Sequence, residues 1–434
     1  MGGSSMRRAA AVAAGLGLAA VPWAANAQAA GVADPANTAW ILTATALVLF
    51  MTLPGLALFY AGLVRAKNVL SVMMQCVAIA CLASVLWLAV GYSLVFDAAS
   101  PAIGGLSKAF LLGVGRDSVS GSLPETLFFM FQMTFAVITP ALIVGAYVER
   151  VRFPAVVLFS ALWLVLVYAP VAHWVWGGGW LARMHVMDYA GGLVVHATAG
   201  VSAVLFARLL GPRDGFPREL RPPHNPGMTM MGAGMLWVGW YGFNAGSALA
   251  ADGNAAMALA ATHLSASAAG LVWAGLEWKR FGRPSMVGIV TGVVAGLATV
   301  TPASGYVGPV GGLILGIAGS AVCFVAVDLV KHKARVDDAL DVFAVHGVGG
   351  ILGTLLVAIL AAPALGGAGY AEGVTMGGQA LVQAIAVVAV CAWSGIVSWI
   401  ILAAVRRAVG LRATEMEIEE GLDLTYHGER GYTP

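Results

Sequence analysis

Eleven runs of about 17 to 25 mostly apolar residues follow one another through this chain, which is more than the core of a soluble domain can absorb. They cover roughly residues 38–62, 69–93, 124–147, 154–172, 190–209, 228–248, 255–276, 285–300, 307–328, 340–361 and 379–404. A hydrocarbon layer ~30 Å thick takes about 20 helical residues to cross, and inside it every backbone polar group must be satisfied within the segment. The pattern therefore predicts an all-α polytopic membrane protein. Composition agrees, with 60% hydrophobic and 10% charged residues among 434 and a mean hydropathy of +0.86. A net charge of +2 with no basic stripe gives no footing for nucleic acid.

The charges orient the chain. An odd number of crossings puts the two ends on opposite sides. With the N-terminal side outside, eighteen of the 23 Lys and Arg fall in cytoplasmic segments, from Arg65 and Lys67 to Arg406, Arg407, Arg412 and Arg430. Lys108, Arg116 and Arg183 fall outside, and Arg7 and Arg8 precede the first crossing. This is the positive-inside distribution. Arg7 and Arg8 lead into an apolar run of roughly a dozen residues, followed by the small residues Ala25-Asn26-Ala27, the form of a secretory signal peptide. Residues 1–27 are thus expected to be a leader, 28–405 the transmembrane domain and 406–434 a cytoplasmic tail. The four cysteines, Cys76, Cys81, Cys323 and Cys391, all lie in apolar runs without metal-ligand spacing and read as packing residues.

An internal repeat carries more information. "LVVHATAG" around His196 in the fifth run has a counterpart, "FAVHGVGG", around His346 in the tenth, and eight residues before each histidine stands an aspartate, Asp188 or Asp338. Five crossings per unit is an odd number, so the second unit enters the membrane inverted. Spans one to five and six to ten then form inverted-topology repeats with an eleventh helix added, an arrangement typical of transporters. Eight residues of helix rise about 12 Å, so two histidines approaching from opposite faces both arrive near the middle of the bilayer. Ionisable groups in spans usually face a cavity or a partner, which favours function over a hydrogen-bonded pair at a helix contact. Asp188, just before Gly191 and Gly192, is placed to cap the start of its helix. Asp338 is expected to mirror it on the inner side, in water that weakens its field. His263 reads as structural. His173, His185, His224, His332 and His427 fall in loops, the tail or span ends and read as solvated.

Seven stretches in order, "FQMTFAVITPALIVGAYVER" from Phe131, "VWGGGWL" from Val175, "DYAGGLVVH" from Asp188, "WYGFNAGSA" from Trp240, "TPASGYVGP" from Thr301, "DVFAVHGVGG" from Asp341 and "EGLDLTYHGERGY" from Glu420, resemble the Amt/Rh family of ammonium transporters, in its bacterial Amt form. They span nearly the whole chain after the leader. The resemblance implies an outer ammonium-recruiting site made of Phe135, Trp176 and Ser247, a gate of Phe135 and Phe243 below it, and a pore lined by His196 and His346. It further implies Asp188, Trp240, Thr301 and Asp338 as supporting residues. The chemistry suits the cargo: ammonium is a compact cation with four donors, drawn to aromatic faces and a hydroxyl acceptor. Read singly, Trp176 fits an interfacial belt, the phenylalanines fit packing or lipid contact, and Ser247 fits a bond to its own helix.

The expected mechanism desolvates ammonium at the aromatic site, deprotonates it near the gate and passes ammonia, with the proton travelling separately if it follows. Methylammonium would serve as an analogue. No cofactor or metal is expected. A bis-histidine haem protein and an intramembrane hydrolase are the competing classes; no GxSxG or HExxH stretch supports the second. The resemblance further implies a homotrimer with one pore per subunit, residence in the bacterial inner membrane, and a tail that helps dock a PII-type nitrogen regulatory protein. From composition alone the tail is equally well read as disordered. An ammonium sensor of the same fold is the alternative. With no further signalling domain after the tail, a regulated transporter is the preferred reading.

Overall fold

The computed structural model describes residues 32–219 and 222–432. The expected leader, residues 1–27, lies outside them. Every apolar run falls on helix: α1 Pro35–Leu63, α2 Ala66–Phe96, α3 Glu125–Tyr147, α4 Phe153–Arg183 with a turn at 176–179, α5 Gly192–Leu210, α6 Pro226–Gly246, α7 Gly253–Phe281, α8 Met286–Val300, α9 Pro309–Lys333, α10 Phe343–Leu360 and α11 Met376–Val409. Nine of these, among the described residues, are long and apolar enough to cross a membrane. The other two are α8, with 15 residues, and α6, whose 21 residues are diluted by glycine, threonine and asparagine.

Local chemistry sets the boundaries. The side chains of Asp34, Asn225, Asp252, Ser285 and Thr375 each accept a backbone N–H in the first turn of α1, α6, α7, α8 and α11. Gly282 stops α7 in the left-handed region at φ 79°. Between helices, glycine supplies close approach where no hydrophobic drive exists. A Cβ on Gly232 of α6 would lie 2.2 Å from the Phe59 nitrogen, and one on Gly316 of α9 would lie 2.2 Å from the Ser265 carbonyl. The most enclosed helix is α3, 94% buried over its apolar window, and the least is α11 at 33%.

After α11 the chain does not trail away. It forms α12 Glu415–Glu420 and α13 Leu422–His427, the first begun by a reciprocal Thr414–Glu417 capping box. Arg152 N donates to Leu411 O and Ala413 N to Arg150 O, both at 2.9 Å. The Asp423 carboxylate accepts from Leu70 N at 3.1 Å and Ser71 N at 2.7 Å, so the tail caps the first turns of α2. The disordered reading of the tail is therefore wrong. The signal was present in "RATEMEIEE", where Thr414 and Glu417 stand three apart.

Candidate conduction path

The histidine-bearing helices begin differently from the simple expectation. Residues 188–191 are not helical, and α5 opens with a π-helical turn, Gly192–Ala197, that carries His196. In α10 the π-helical turn Phe343–Gly347 carries His346. Each histidine thus leaves the first turn of its helix rather than a point two turns in. The physical reason in α5 is Gly191 at φ 116°, which turns the chain just ahead of the helix. The small residues after each histidine then let the helices meet. A Cβ on Gly200 would stand 2.3 Å from the Gly347 Cα, and one on Gly350 2.6 Å from the His196 Cβ.

That approach brings the two Nδ1 atoms to 3.2 Å, with the rings 5.2 Å apart at 19°. One proton between them leaves one ring with a bare Nε2 and the other with an Nε2–H, whichever tautomer pair is present. Nε2 of His196 is buried without a partner among the described residues. Trp240 stacks on His196 at 5.5 Å and is itself anchored, its indole N–H donating to the Thr301 hydroxyl at 2.8 Å.

Phe243 lies 6.2 Å from His196 and stacks on Phe135 at 4.3 Å and 29°. Two rings in that contact close the passage between them. Trp176 meets Phe135 edge-on at 5.6 Å, and its indole N–H donates to the Asp188 carbonyl at 2.9 Å, leaving the ring itself as the free feature. The Ser247 hydroxyl donates to Phe243 O at 2.8 Å. Its proton is committed, and its lone pairs are left to accept. Trp176, Phe135, Phe243, His196 and His346 are therefore brought into one row, and Ser247 is bonded back to its own helix one turn beyond Phe243.

The two aspartates have different settings. Asp188 accepts from Gly191 N, Gly192 N, Leu193 N and Val194 N at 2.5 to 3.1 Å, the full set of donors left open at the start of α5. Burial pushes its carboxyl up to about 6, against the pull of those four N–H groups. Asp338 is not in water, contrary to expectation. It is fully buried; one oxygen accepts from Phe343 N at 2.7 Å and the other has no partner among the described residues. Burial first, then the neighbouring Asp341, push its carboxyl up to about 7. The loop before α10 folds back under α3, with Leu340 N donating to Gly145 O, and this removes the solvent.

Two cavities follow the row. A narrow one of about 10 Å³, lined by His196, His346, Trp240 and Phe243 among apolar side chains, has room for about one water molecule. A wider one of about 340 Å³ opens beyond His346 on the face that carries the tail, lined by Tyr60, Arg65, Glu149, Arg213 and Lys331. Sequence reasoning missed this basin. Glu149 holds Arg65 at 3.0 Å and Arg213 at 3.4 Å, and Arg213 also holds Asp337 at 2.9 Å. Arg150, fully buried, donates to the carbonyls of Gly211, Val148, Ala146 and Asp337. The available signal was the closing "VER" of the first family-like block, in which a Glu-Arg pair directly follows an apolar helix.

Three of the five histidines expected to be solvated are engaged. His173 is buried with its ring nitrogens 2.7 Å from Val95 O and Ser100 O, His224 lies 3.0 Å from the Tyr432 hydroxyl, and His427 packs edge-on against Phe153. Residues at and just beyond the end of α2, at the start of α4 and in the tail supply these contacts. His185 and His332 are exposed as expected. His263 lies 2.7 Å from the Tyr241 hydroxyl, away from the row.

Apolar helices long enough to cross a membrane, packed around a buried histidine pair, define a multi-pass membrane protein. The chain belongs to the Ammonium Transporter Family, whose model matches residues 39–432. It is 46% identical over 392 residues to an ammonium transporter of Bacillus subtilis, covering 89% of this chain and 96% of that one. It is 44% identical over 400 residues to ammonium transporter Amt1 of Archaeoglobus fulgidus, covering 92% and 99%. Among solved structures, Mep2 of Candida albicans superposes with a TM-score of 0.81 at 37% identity, covering 89% of this chain and 88% of that one. A protein described as Sensor Amt Protein gives 0.85 at 28% identity, covering 90% and 98%.

Proposed function

We propose that this chain recruits ammonium at an outer aromatic site and conducts ammonia inward through the paired histidines. The observation that carries the reading is the 3.2 Å Nδ1–Nδ1 contact directly behind the Phe135–Phe243 stack. A cation on the Trp176 and Phe135 faces gains about 0.5 to 2 kcal/mol and finds an acceptor in the Ser247 oxygen. The lumen beyond the stack is too small to carry a hydration shell, so a bare cation entering it is left largely unsolvated. Ammonium escapes that penalty by giving up a proton. Ammonia then needs one acceptor and one donor, which the histidine pair offers together. The proton either leaves to outer water or follows along the histidines. A current in proteoliposomes that tracks ammonium addition supports the second; uptake without current supports the first, and absence of both uptake and current rejects the reading.

The setting is proposed with it. The bias of Lys and Arg toward the tail face supports a cytoplasmic C-terminus and an outer Trp176 in a bacterial inner membrane. A homotrimer and docking of a PII-type regulator on the tail face rest on family resemblance, and the basin and folded tail offer such a partner a structured surface. The sensor alternative has one observation in its favour, the likeness to the protein described as Sensor Amt Protein. Ammonium binding without uptake in the same vesicles would favour it.

A further inference from the structure

The eleventh helix stands outside the two repeats, and none of the site residues lies on it. It nevertheless carries two fully buried glutamines one turn apart, Gln379 and Gln383. Amide side chains in an apolar span need partners, and these find backbone. Gln383 grips Met187 at both ends of its amide unit: Oε1 accepts from Met187 N at 2.9 Å and Nε2 donates to Met187 O at 2.7 Å. Its Nε2 also donates to Thr354 O on α10 at 2.9 Å. Gln379 Nε2 donates to Gln383 Oε1 at 3.1 Å and to His185 O at 3.0 Å. His185 sits in the left-handed region at φ 60°, where a non-glycine backbone needs support.

The residue after Met187 is Asp188, whose carbonyl accepts the Trp176 indole N–H. On the other side Tyr189 N donates to Pro302 O at 3.0 Å. The Asp188 peptide is thus pinned from both flanks, and the Trp176 ring hangs from it. We propose that Gln383, supported by Gln379, is a positioning residue for ammonium recruitment: it fixes the 187–188 backbone and so the place of the Trp176 ring against Phe135. The inference rests on the aromatic recruiting site proposed above. Gln383 touches no cargo; it acts through Trp176.

The test is methylammonium uptake by proteoliposomes holding the full chain, with Gln383→Met, Trp176→Leu and the double variant. Methionine keeps the length and removes every hydrogen bond. Loss of a buried bidentate contact should weaken apparent affinity about three- to tenfold while the maximal rate stays within about twofold of wild type. In the Trp176→Leu background the same substitution should add no further loss, because the ring it positions is gone. Should Gln383→Met fail to give monodisperse protein, Gln379→Met, which removes only the link to His185 and one to Gln383, should shift affinity in the same direction by less. Unchanged affinity in the folded variants, or a loss that adds in full to that of Trp176→Leu, overturns the proposal. If Trp176→Leu alone changes nothing, the recruiting site itself fails and the brace fails with it; if only the glutamine variants are silent, the recruiting site stands.

Discussion

In the proposed conduction path the buried imidazole pair selects because each ring completes the other. His196 and His346 share one hydrogen, and neither presents a fixed charge to the lumen. Replacing His346 with aspartate puts a carboxylate there and offsets part of the desolvation cost that keeps potassium out. His346→Asp should therefore conduct while losing discrimination, read as potassium competition against methylammonium in the same vesicles at matched protein levels. A conducting variant that still ignores potassium would move selectivity to the Phe135–Phe243 stack. Trp176→Leu removes the aromatic partner proposed for the cation without touching the lumen. Apparent affinity should fall several-fold to about thirtyfold, seen as slower uptake at limiting substrate, with the maximal rate largely kept.

Helix ends do much of the positioning in this molecule. Asp188 gathers four amides at the start of α5, and Asp423 reaches from the tail to cap α2. Loss of such a cap costs about 0.5 to 2 kcal/mol. Asp423→Ala should accordingly free the tail before it disturbs the bundle, with faster proteolytic cleavage after Val409 and an unchanged global melt. At this scale the sequence was legible wherever a local rule was enough. Caps, glycines after the histidines, and the aspartate eight residues ahead of each could be read from spacing. What escaped depended on distant chain. The burial of Asp338 comes from a loop packing under α3, the grip of Gln383 joins residues 196 apart, and the charged knot joins four segments. Periodicity shows which face of a helix is apolar and says nothing about which loop will cover its end.

Across the whole molecule, the knot makes stability depend on acid. Burial pushes the Glu149 and Asp337 carboxyls up, but Arg65 and Arg213 on the first, and Arg213 and Arg150 on the second, outweigh it and hold both below the usual carboxylate range. Groups lowered in this way favour the folded state above their ordinary pKa, and that contribution is lost as pH falls through the lowered values. The melting temperature in detergent should rise slightly from neutral pH to about 5, as the raised carboxyls of Asp338 and Asp188 take up protons in the folded state, and drop below that, and Glu149→Gln should reduce the drop. The two halves that the sequence repeat outlines, meanwhile, are unlike in chemistry. The Asp188 copy is clasped by α11 and dressed with aromatic rings, whereas the Asp338 copy abuts an arginine-lined basin and no eleventh helix reaches it. A strictly duplicated ancestor would present the same doorway to either compartment. The eleventh helix, the aromatic rings and the basin together tell the doorways apart, so the molecule has a front and a back.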